Sequence, residues 1–590
     1  MRTILTFHPE RCLGCRNCEL ACSVVHSKSG RLETAIIEDL PPRRRVTLAA
    51  GKNGIEALRC EQCLEPRCVF SCKSGALRRD PVSGRITLEE SRCLGCFMCL
   101  MVCPFGIRPD PARDRVVRCD VCVGQVPISA NLTAVTEFTE VVGQAVSPAC
   151  TGQGPAPPGA RGPKLALMGQ VPDLPACVTA CPTGALSREP ARDDRVQSGF
   201  DGRVLVLGSS AAGIAACEAA REHAPECSIT LVTADAWPQY SRPLLPYVLA
   251  GRIGPPEMNW RADGYLENEL RVRVMRGVRA TGLKSAAGPV ALDDGTQLTF
   301  DRLIVATGAR GATLSIPGAN LAGVCAFRNL ADLETIDRLA GPGRRAVVLG
   351  GGNVGLQACE ALRARGMNVT VVVTSPHLLS QMVDAEAGRR VGELFVRHGL
   401  DVRTGHDAIE IVGEGRVEGV RLDDGELIGA DLVIVGKGIR PNVEWLRGSG
   451  IKMARGIVVD LCGRTSLPGV FAAGDCAETI DPLTGRSSIS GVWPVAYEMG
   501  RAAGSTAVGV ERPSGGALRM NASRFFGEPI ISIGEVCPER LEGATAQVLV
   551  CREGVYRKLV YRRDRLAGAL LYGDISGAGV FHRQYREGVD

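Results

Sequence analysis

The 590-residue chain contains no run of about 18 uninterrupted apolar residues, which excludes a helix built to span a bilayer. Its opening stretch, Met1 to Glu10, lacks the long apolar core of a secretory leader and runs directly into a cysteine motif, so a cytoplasmic location is expected. A strong charge of one sign is missing too. The formal excess of +5 sits entirely in residues 1–200, which hold 25 Lys+Arg against 20 Asp+Glu, while residues 201–590 hold 44 of each. With 45% hydrophobic and 23% charged residues the composition is that of a globular chain, too long for one core, and three or more domains are expected.

Cysteine, by contrast, is plentiful: 25 residues, 17 of them within residues 1–181. In a small secreted chain such a density would indicate disulfides, but these spacings are those of metal ligands. Cys12, Cys15, Cys18 and Cys22 follow C-x2-C-x2-C-x3-C, and Cys93, Cys96, Cys99 and Cys103 repeat it with Pro104 behind. A short loop of this kind wraps three thiolates round one [4Fe–4S] cluster, while the fourth thiolate reaches the neighbouring cluster, so the motifs must pair. Cys60, Cys63, Cys68 and Cys72 form a longer C-x2-C-x4-C-x3-C set, and Cys119, Cys122, Cys177 and Cys181 a fourth set split by 54 residues. Sixteen ligands suffice for four clusters. Structural zinc is the alternative, but repeated triplets followed by Cys-Pro are poor tetrahedral frames. Each oxidised cluster with its thiolates carries roughly −2, which turns the basic segment acidic and leaves nucleic-acid binding without support.

Residues 1–190 are rich in Cys, Pro and Arg, whereas Val204-Leu-Val-Leu207 opens a pattern of strand, glycine turn and helix that recurs at 345–373. Two doubly wound nucleotide-binding units are expected. The first turn runs from Gly208 through Ser210 to Gly213, with Ser210 where a glycine is usual, and the second from Gly350 through Gly352 to Gly355. Both offer backbone amides at a helix N-terminus to a pyrophosphate. After about residue 510 the runs become β-like, which suggests a small α+β domain. The stretch 123–176 has few core formers and reads as a partly mobile insertion, within which Cys150 is a spare thiol.

The four-motif layout resembles the ferredoxin-like electron-transfer subunits of molybdopterin oxidoreductases, formate hydrogenlyase and carbon monoxide dehydrogenase. That resemblance implies that the first motif pairs with the fourth and the second with the third. Cys12, Cys15, Cys18 and Cys181 would then hold one cluster and Cys119, Cys122, Cys177 and Cys22 its neighbour. Cys60, Cys63, Cys68 and Cys103 would hold a third, and Cys93, Cys96, Cys99 and Cys72 the fourth. The chain departs from the family at Lys73, which stands where a proline is usual, and at the split of the fourth motif.

Downstream, Ala306-Thr307-Gly308-Ala309 and Ala472-Ala473-Gly474-Asp475 complete the signature of two-dinucleotide flavoproteins, and residues 203–580 resemble the pyridine nucleotide-disulfide oxidoreductase superfamily, in its NADH oxidase, rubredoxin reductase and nitrite reductase-like branch. The resemblance implies FAD contacts from Gly208, Ser210, Gly213 and Asp235, from Ser241, Arg242 and Pro243 in a loop beside the isoalloxazine, and from Thr307, Gly308, Gly474 and Asp475. A helix beginning at Trp493 and Pro494 would aim its positive end at the flavin pyrimidine. Gly350, Gly352 and Gly355 would hold NADH or NADPH; near Val373, Thr374, Ser375 and His377 offer no arginine pair for a 2′-phosphate, which inclines the reading to NADH. His377 itself reads as a solvated surface residue. No C-x4-C follows the first turn and no cysteine lies in 240–246, so disulfide chemistry is not expected. Cys217, Cys227, Cys325, Cys359, Cys462, Cys476, Cys537 and Cys551 read as small core residues.

The expected fold is therefore a multidomain one: an α+β ferredoxin-like domain (1–190), an FAD-binding domain in two parts (203–325 and 446–510), an NAD(P)-binding domain (326–445) and a C-terminal α+β interface domain (511–590) that suggests a homodimer. The expected function is electron transfer between NAD(P)H, FAD, up to four clusters and a redox partner. The favoured partner is carbon monoxide dehydrogenase, with hydrogenase, formate dehydrogenase or ferredoxin as other candidates. A self-contained NAD(P)H-dependent reductase of polysulfide or oxygen, and a non-catalytic electron-transfer subunit, remain open.

Overall fold

The computed structural model describes residues 3–29, 32–35, 37–38, 44–51, 54–80, 83–110, 114–120, 122, 175–181, 183–190, 196–285, 288–482 and 484–588. The insertion expected at 123–176 and its Cys150 lie outside them, apart from Pro175 and Ala176. The chain forms two compact units. One comprises Met1–Pro66, Arg78–Leu88 and Cys103–Asp193; the other comprises Arg67–Leu77, Glu89–Val102 and Asp194–Asp590. Among the described residues, no helix is long and apolar enough to cross a membrane.

In the first unit, the strand Thr3–Phe7 pairs antiparallel with Leu186–Pro190, in register from Thr3 opposite Pro190 to Phe7 opposite Leu186. Two hairpins, Thr47–Gly51 with Gly54–Leu58 and Arg108–Asp110 with Arg115–Val117, also belong to this unit. The core behind the first strand pair is Leu5, Val46, Leu48 and Leu186 with Cys18, Cys22, Cys60, Cys119 and Cys177. Among the fully buried members, thiols thus make up as large a part of the centre as hydrocarbon side chains.

The second unit contains two parallel sheets of five strands each. In the first, the order is Val272–Arg276, Ser228–Thr233, Arg203–Leu207, Arg302–Val305 and Val470–Ala472. Four consecutive residues, Val204 to Leu207, are buried, as a strand covered on both faces requires. The fifth strand comes from far down the chain because the second sheet is inserted before it: Val324–Ala326, Leu432–Val435, Arg345–Leu349, Asn368–Val373 and Asp401–Thr404. A five-stranded antiparallel sheet (Met520–Phe525, Glu528–Gly534, Arg565–Tyr572, Val555–Arg562, Ala544–Arg552) follows, and the helix Ala578–Glu587 covers it through buried Tyr585. Cys551 lies on its edge strand, exposed, so the expectation of eight core cysteines fails there: that strand has neither face covered. Cys325 is half-buried, and the other six are buried.

One boundary differs from the sequence expectation of an undivided cluster domain over 1–190. Residues 67–77 and 89–102 pack with the flavoprotein sheets instead. They are tied there by Trp493 and Trp260, as described below, and to each other by Glu89 N–H donating to Ala76 O at 2.8 Å.

Candidate functional site

The first glycine turn leaves the strand Arg203–Leu207 and enters the helix Ala211–His223. Gly208 has φ +115°, and a Cβ there would sit 2.2 Å from Ala306 O; a Cβ on Gly213 would sit 1.8 Å from Gly208 O. Only glycine permits this approach, which holds the turn against Ala306 and Thr307, just past the neighbouring strand Arg302–Val305. The helix Trp493–Ala507 lies against the same helix backbone to backbone: Cβ atoms on Gly500 and Gly504 would meet Ala212 O at 2.1 Å and Ala216 O at 2.3 Å. Two glycines four residues apart therefore fix where the N-terminus of that helix points.

It points into a cavity of about 710 Å³. Of the residues expected from sequence, Gly208, Ser210, Asp235, Arg242, Pro243, Thr307, Gly308, Gly474, Asp475 and Trp493 line this one cavity. Gly213, Ser241 and Pro494 do not; Gly213 acts by close packing, Ser241 is fully buried, and Pro494 occupies the first turn of the helix. Arg242 pairs with Asp235 at 2.6 Å. Asp475 pairs with Arg328, a residue the sequence reading missed. Arg328 also lines the cavity and immediately precedes the capping box Asn329/Asp332, whose side chains bond reciprocally to each other's backbone; an arginine directly before an Asn-x-x-Asp helix start was the available signal. A glycine turn under a helix N-terminus, carboxylates at the strand ends and a cavity at the ends of adjacent parallel strands fit a dinucleotide such as FAD.

The second turn repeats the construction. Cβ atoms would meet Gly436 O at 2.4 Å from Gly350 and Gly350 O at 2.1 Å from Gly355, whereas Gly352, at the head of the helix Asn353–Ala364, faces open space. A phosphate can approach its amide. At the end of the adjoining strand, Thr374 is exposed, Ser375 accepts from Ser380 Oγ at 2.8 Å, and His377 is half-buried with Nδ1 2.9 Å from Leu378 O rather than solvated.

The cysteines gather in groups, and every described cysteine is a free thiol. Burial pushes the Cys18 thiol up to about 12, reinforced by neighbouring Cys15, Glu19 and Cys181. Cys177 is raised well above its ordinary value by burial and then by Cys119, Cys22 and Cys122. Antiparallel pairing of the first and last strands of the unit is what brings motif one to motif four. Cys63 is raised to about 12 by burial and by Cys60 and Cys103. In the second unit, Cys99 is raised well above its ordinary value by burial, then by Cys72, Cys96, Cys93 and Cys68.

The loops carrying the two triplets share one backbone pattern: Gly14 and Gly95 have φ +69° and +61°, and Arg16 and Phe97 have φ 60° and 58°. Left-handed residues at matching places are the backbone pattern of a concave nest of amides, which suits an anionic centre. Further donors reach sulfur directly: Arg45 N–H to Cys22 Sγ at 3.1 Å, Arg118 Nη2 to Cys60 Sγ at 3.4 Å and Leu77 N–H to Cys72 Sγ at 3.4 Å. Thiols raised so far by burial and by one another become thiolates only against a cation, and the donor set fits iron–sulfur ligation.

The second-unit motif sits directly on the dinucleotide cavity wall. Trp493 Nε1 donates to Phe70 O at 3.2 Å, two residues before Cys72. Phe70 stacks on Tyr497 with ring centroids 4.8 Å apart, Trp260 meets Trp493 edge-on at 5.1 Å, and a Cβ on Gly75 would strike Trp260 O at 2.8 Å. Arg92, next to Cys93, donates to Asn259 O at 2.7 Å.

Comparison with known proteins agrees with this layout. Residues 202–500 match the pyridine nucleotide-disulphide oxidoreductase family, residues 54–138 a 4Fe-4S dicluster domain, and residues 520–584 the rubredoxin NAD+ reductase C-terminal domain. The chain is similar to a nitrite reductase [NAD(P)H] of Bacillus subtilis, 33% identical over 63% of this chain and 46% of that protein. It is also similar to the NADH-dependent phenylglyoxylate dehydrogenase subunit epsilon of Aromatoleum evansii, 32% identical over 61% of this chain and 86% of that subunit. The chain thus spans less than half of the first relative but most of the second. Among solved structures it resembles an NAD-dependent persulfide reductase from A. fulgidus, with a TM-score of 0.62 and 26% identity over 66% of this chain and 77% of that one. A putidaredoxin reductase–putidaredoxin complex gives a TM-score of 0.61 and 25% identity over 66% and 93%. This chain belongs to the pyridine nucleotide-disulphide oxidoreductase family of FAD-dependent NAD(P)H oxidoreductases, joined here to a 4Fe–4S dicluster domain.

Proposed function

We propose that this protein passes electrons between NAD(P)H and a redox partner protein through one FAD and up to four [4Fe–4S] clusters. The observation that carries the reading is the hydrogen bond from Trp493, a wall of the dinucleotide cavity, to the Phe70 carbonyl two residues from Cys72. The chemistry that bound FAD supplies is conversion between the two electrons of one hydride and single electrons passed to or from clusters. The protein's own groups do the rest. The N-terminus of the helix Trp493–Ala507 favours negative charge at its end of the cavity. Phe70, Trp260, Trp493 and Tyr497 exclude water between the cavity and the cysteine motif. Asp475 and Arg328 fix each other at the cavity rim.

NADH is the proposed nucleotide, because the strand end near Val373 carries no arginine pair and the similar phenylglyoxylate dehydrogenase subunit is named as NADH-dependent. The partner is a low-potential oxidoreductase. The motif layout favours carbon monoxide dehydrogenase, and the name of that same relative favours a 2-oxoacid dehydrogenase. The test is anaerobic reconstitution followed by iron and flavin analysis, then titration with NADH and NADPH monitored optically and by electron paramagnetic resonance. About 16 iron atoms per FAD and cluster signals that appear on adding NADH are expected. Flavin reduction with no cluster signal at any NADH concentration would refute the relay.

A further inference from the structure

Lys73 stands where the related motifs carry proline, and its side chain is buried, with 6% of the residue exposed. Its ammonium lies 4.8 Å from the centroid of the Tyr247 ring and faces Cys72 and Cys96. Among the described residues it makes no ion pair with a carboxylate. Glu360, the carboxylate beside Tyr247, is engaged by Arg252 at 2.9 Å and by Phe526 N–H at 3.2 Å. A buried ammonium with neither water nor a carboxylate is strongly disfavoured unless another negative group answers it. A cation–π contact offsets only about 2 kcal/mol of that penalty. Beside the Tyr247 phenol, the groups left to answer it are the thiols of Cys96 and Cys72.

We infer that Lys73 is the built-in counter-ion of the iron–sulfur centre held by Cys72, Cys93, Cys96 and Cys99, and that it raises the reduction potential of that centre. This rests on the reading of those four cysteines as ligands of one cluster. The reasoning is electrostatic. Taking up one electron adds one negative charge to the centre, and a fixed positive charge beside it in a water-poor site stabilises the reduced form over the oxidised one. Within the second unit this is also the motif whose backbone meets the cavity wall through Phe70 and Trp493. Lys73 touches neither nucleotide nor substrate; it is a positioning and tuning residue.

The test uses the full-length, cluster-loaded protein and a redox titration followed by electron paramagnetic resonance. A Cys96→Ser variant first identifies the signal of this centre. Lys73→Met is expected to shift that one midpoint to lower potential and to leave the others where they were, and Lys73→Arg to restore it. An unshifted midpoint in Lys73→Met with unchanged iron content would overturn the inference. If Lys73→Met instead loses iron, full retention in Lys73→Arg supports the counter-ion role and equal loss in both overturns it. Absence of any cluster signal from the unmodified protein would strike the proposed function itself, a result distinguishable from the other outcomes.

Discussion

Removing the Glu218 carboxylate should loosen the contact between the flavoprotein and its attached cysteine motif. Glu218, on the helix Ala211–His223, accepts from Arg261 Nη2 at 2.9 Å, from Tyr265 Oη at 2.9 Å and from Tyr497 Oη. Its side chain is 10% exposed and that of Arg261 16%. Glu218→Ala leaves a buried guanidinium without its counter-charge and two phenols without an acceptor, a loss of about 3–5 kcal/mol for a broken buried pair. The contact of Arg261 with the Trp260 ring, 4.0 Å to its centroid, survives and offsets about 1 kcal/mol of this. The net effect is roughly 2–4 kcal/mol, and Tyr497 is the group that carries it to Phe70. In hydrogen exchange, amides of 67–77 and 493–507 should exchange roughly 30- to 700-fold faster, since about 1.4 kcal/mol is a factor of ten. Glu218→Gln, which keeps size and one acceptor, should fall between. Exchange in Glu218→Ala within threefold of the unmodified protein would refute the claim that this network anchors the motif.

Trp493→Phe keeps the aromatic wall but leaves the Phe70 carbonyl without its donor; a destabilisation of about 1–3 kcal/mol in denaturant melts and a slower NADH-driven appearance of cluster signals are expected, checked by urea titration and freeze-quench spectroscopy. Asp475→Ala strips Arg328 of its partner at the cavity and should weaken FAD retention by roughly ten- to a hundredfold, measured as flavin content after dialysis. His582, buried in the C-terminal helix beside Arg586 and Arg67, is pushed down to about 3 chiefly by burial. The unfolded chain, with the ordinary value of 6.5, takes up a proton in a range where the folded chain does not. The stability that His582 contributes is therefore fully present above pH 6.5 and lost as the pH falls toward 3. Thermal melts between pH 7 and 4 should show a steeper decline for the unmodified protein than for His582→Leu, and equal slopes would contradict it.

The cysteine spacing and the two glycine turns were legible because both are local constraints. Three thiolates reach three corners of one cluster only at fixed separations, and a backbone can approach a phosphate or a neighbouring strand only where no Cβ intervenes, as at Gly208 and Gly350. Ten of the thirteen residues expected for FAD line one cavity for the same reason: the strand–turn–helix unit sets their positions within a few residues of sequence. Arg328 escaped notice because its role depends on Asp475, 147 residues away. Cys551 was misread because an edge strand and a covered strand look alike in sequence, and only the absence of a neighbour exposes it.

By itself, then, the sequence determined the ligand chemistry, the two dinucleotide units and the order of segments. The tertiary structure decided which segments share a compact unit. Residues 67–77 and 89–102 read as an inseparable part of the cysteine-rich domain, yet they pack on the flavoprotein through Phe70, Gly75 and Arg92. It also decided the surroundings of Lys73, since a lysine after a cysteine looks solvated until the ring of Tyr247, 174 positions further on, is found over it. Local steric rules propagate over a few residues, whereas burial and pairing of charge depend on what the folded chain brings alongside.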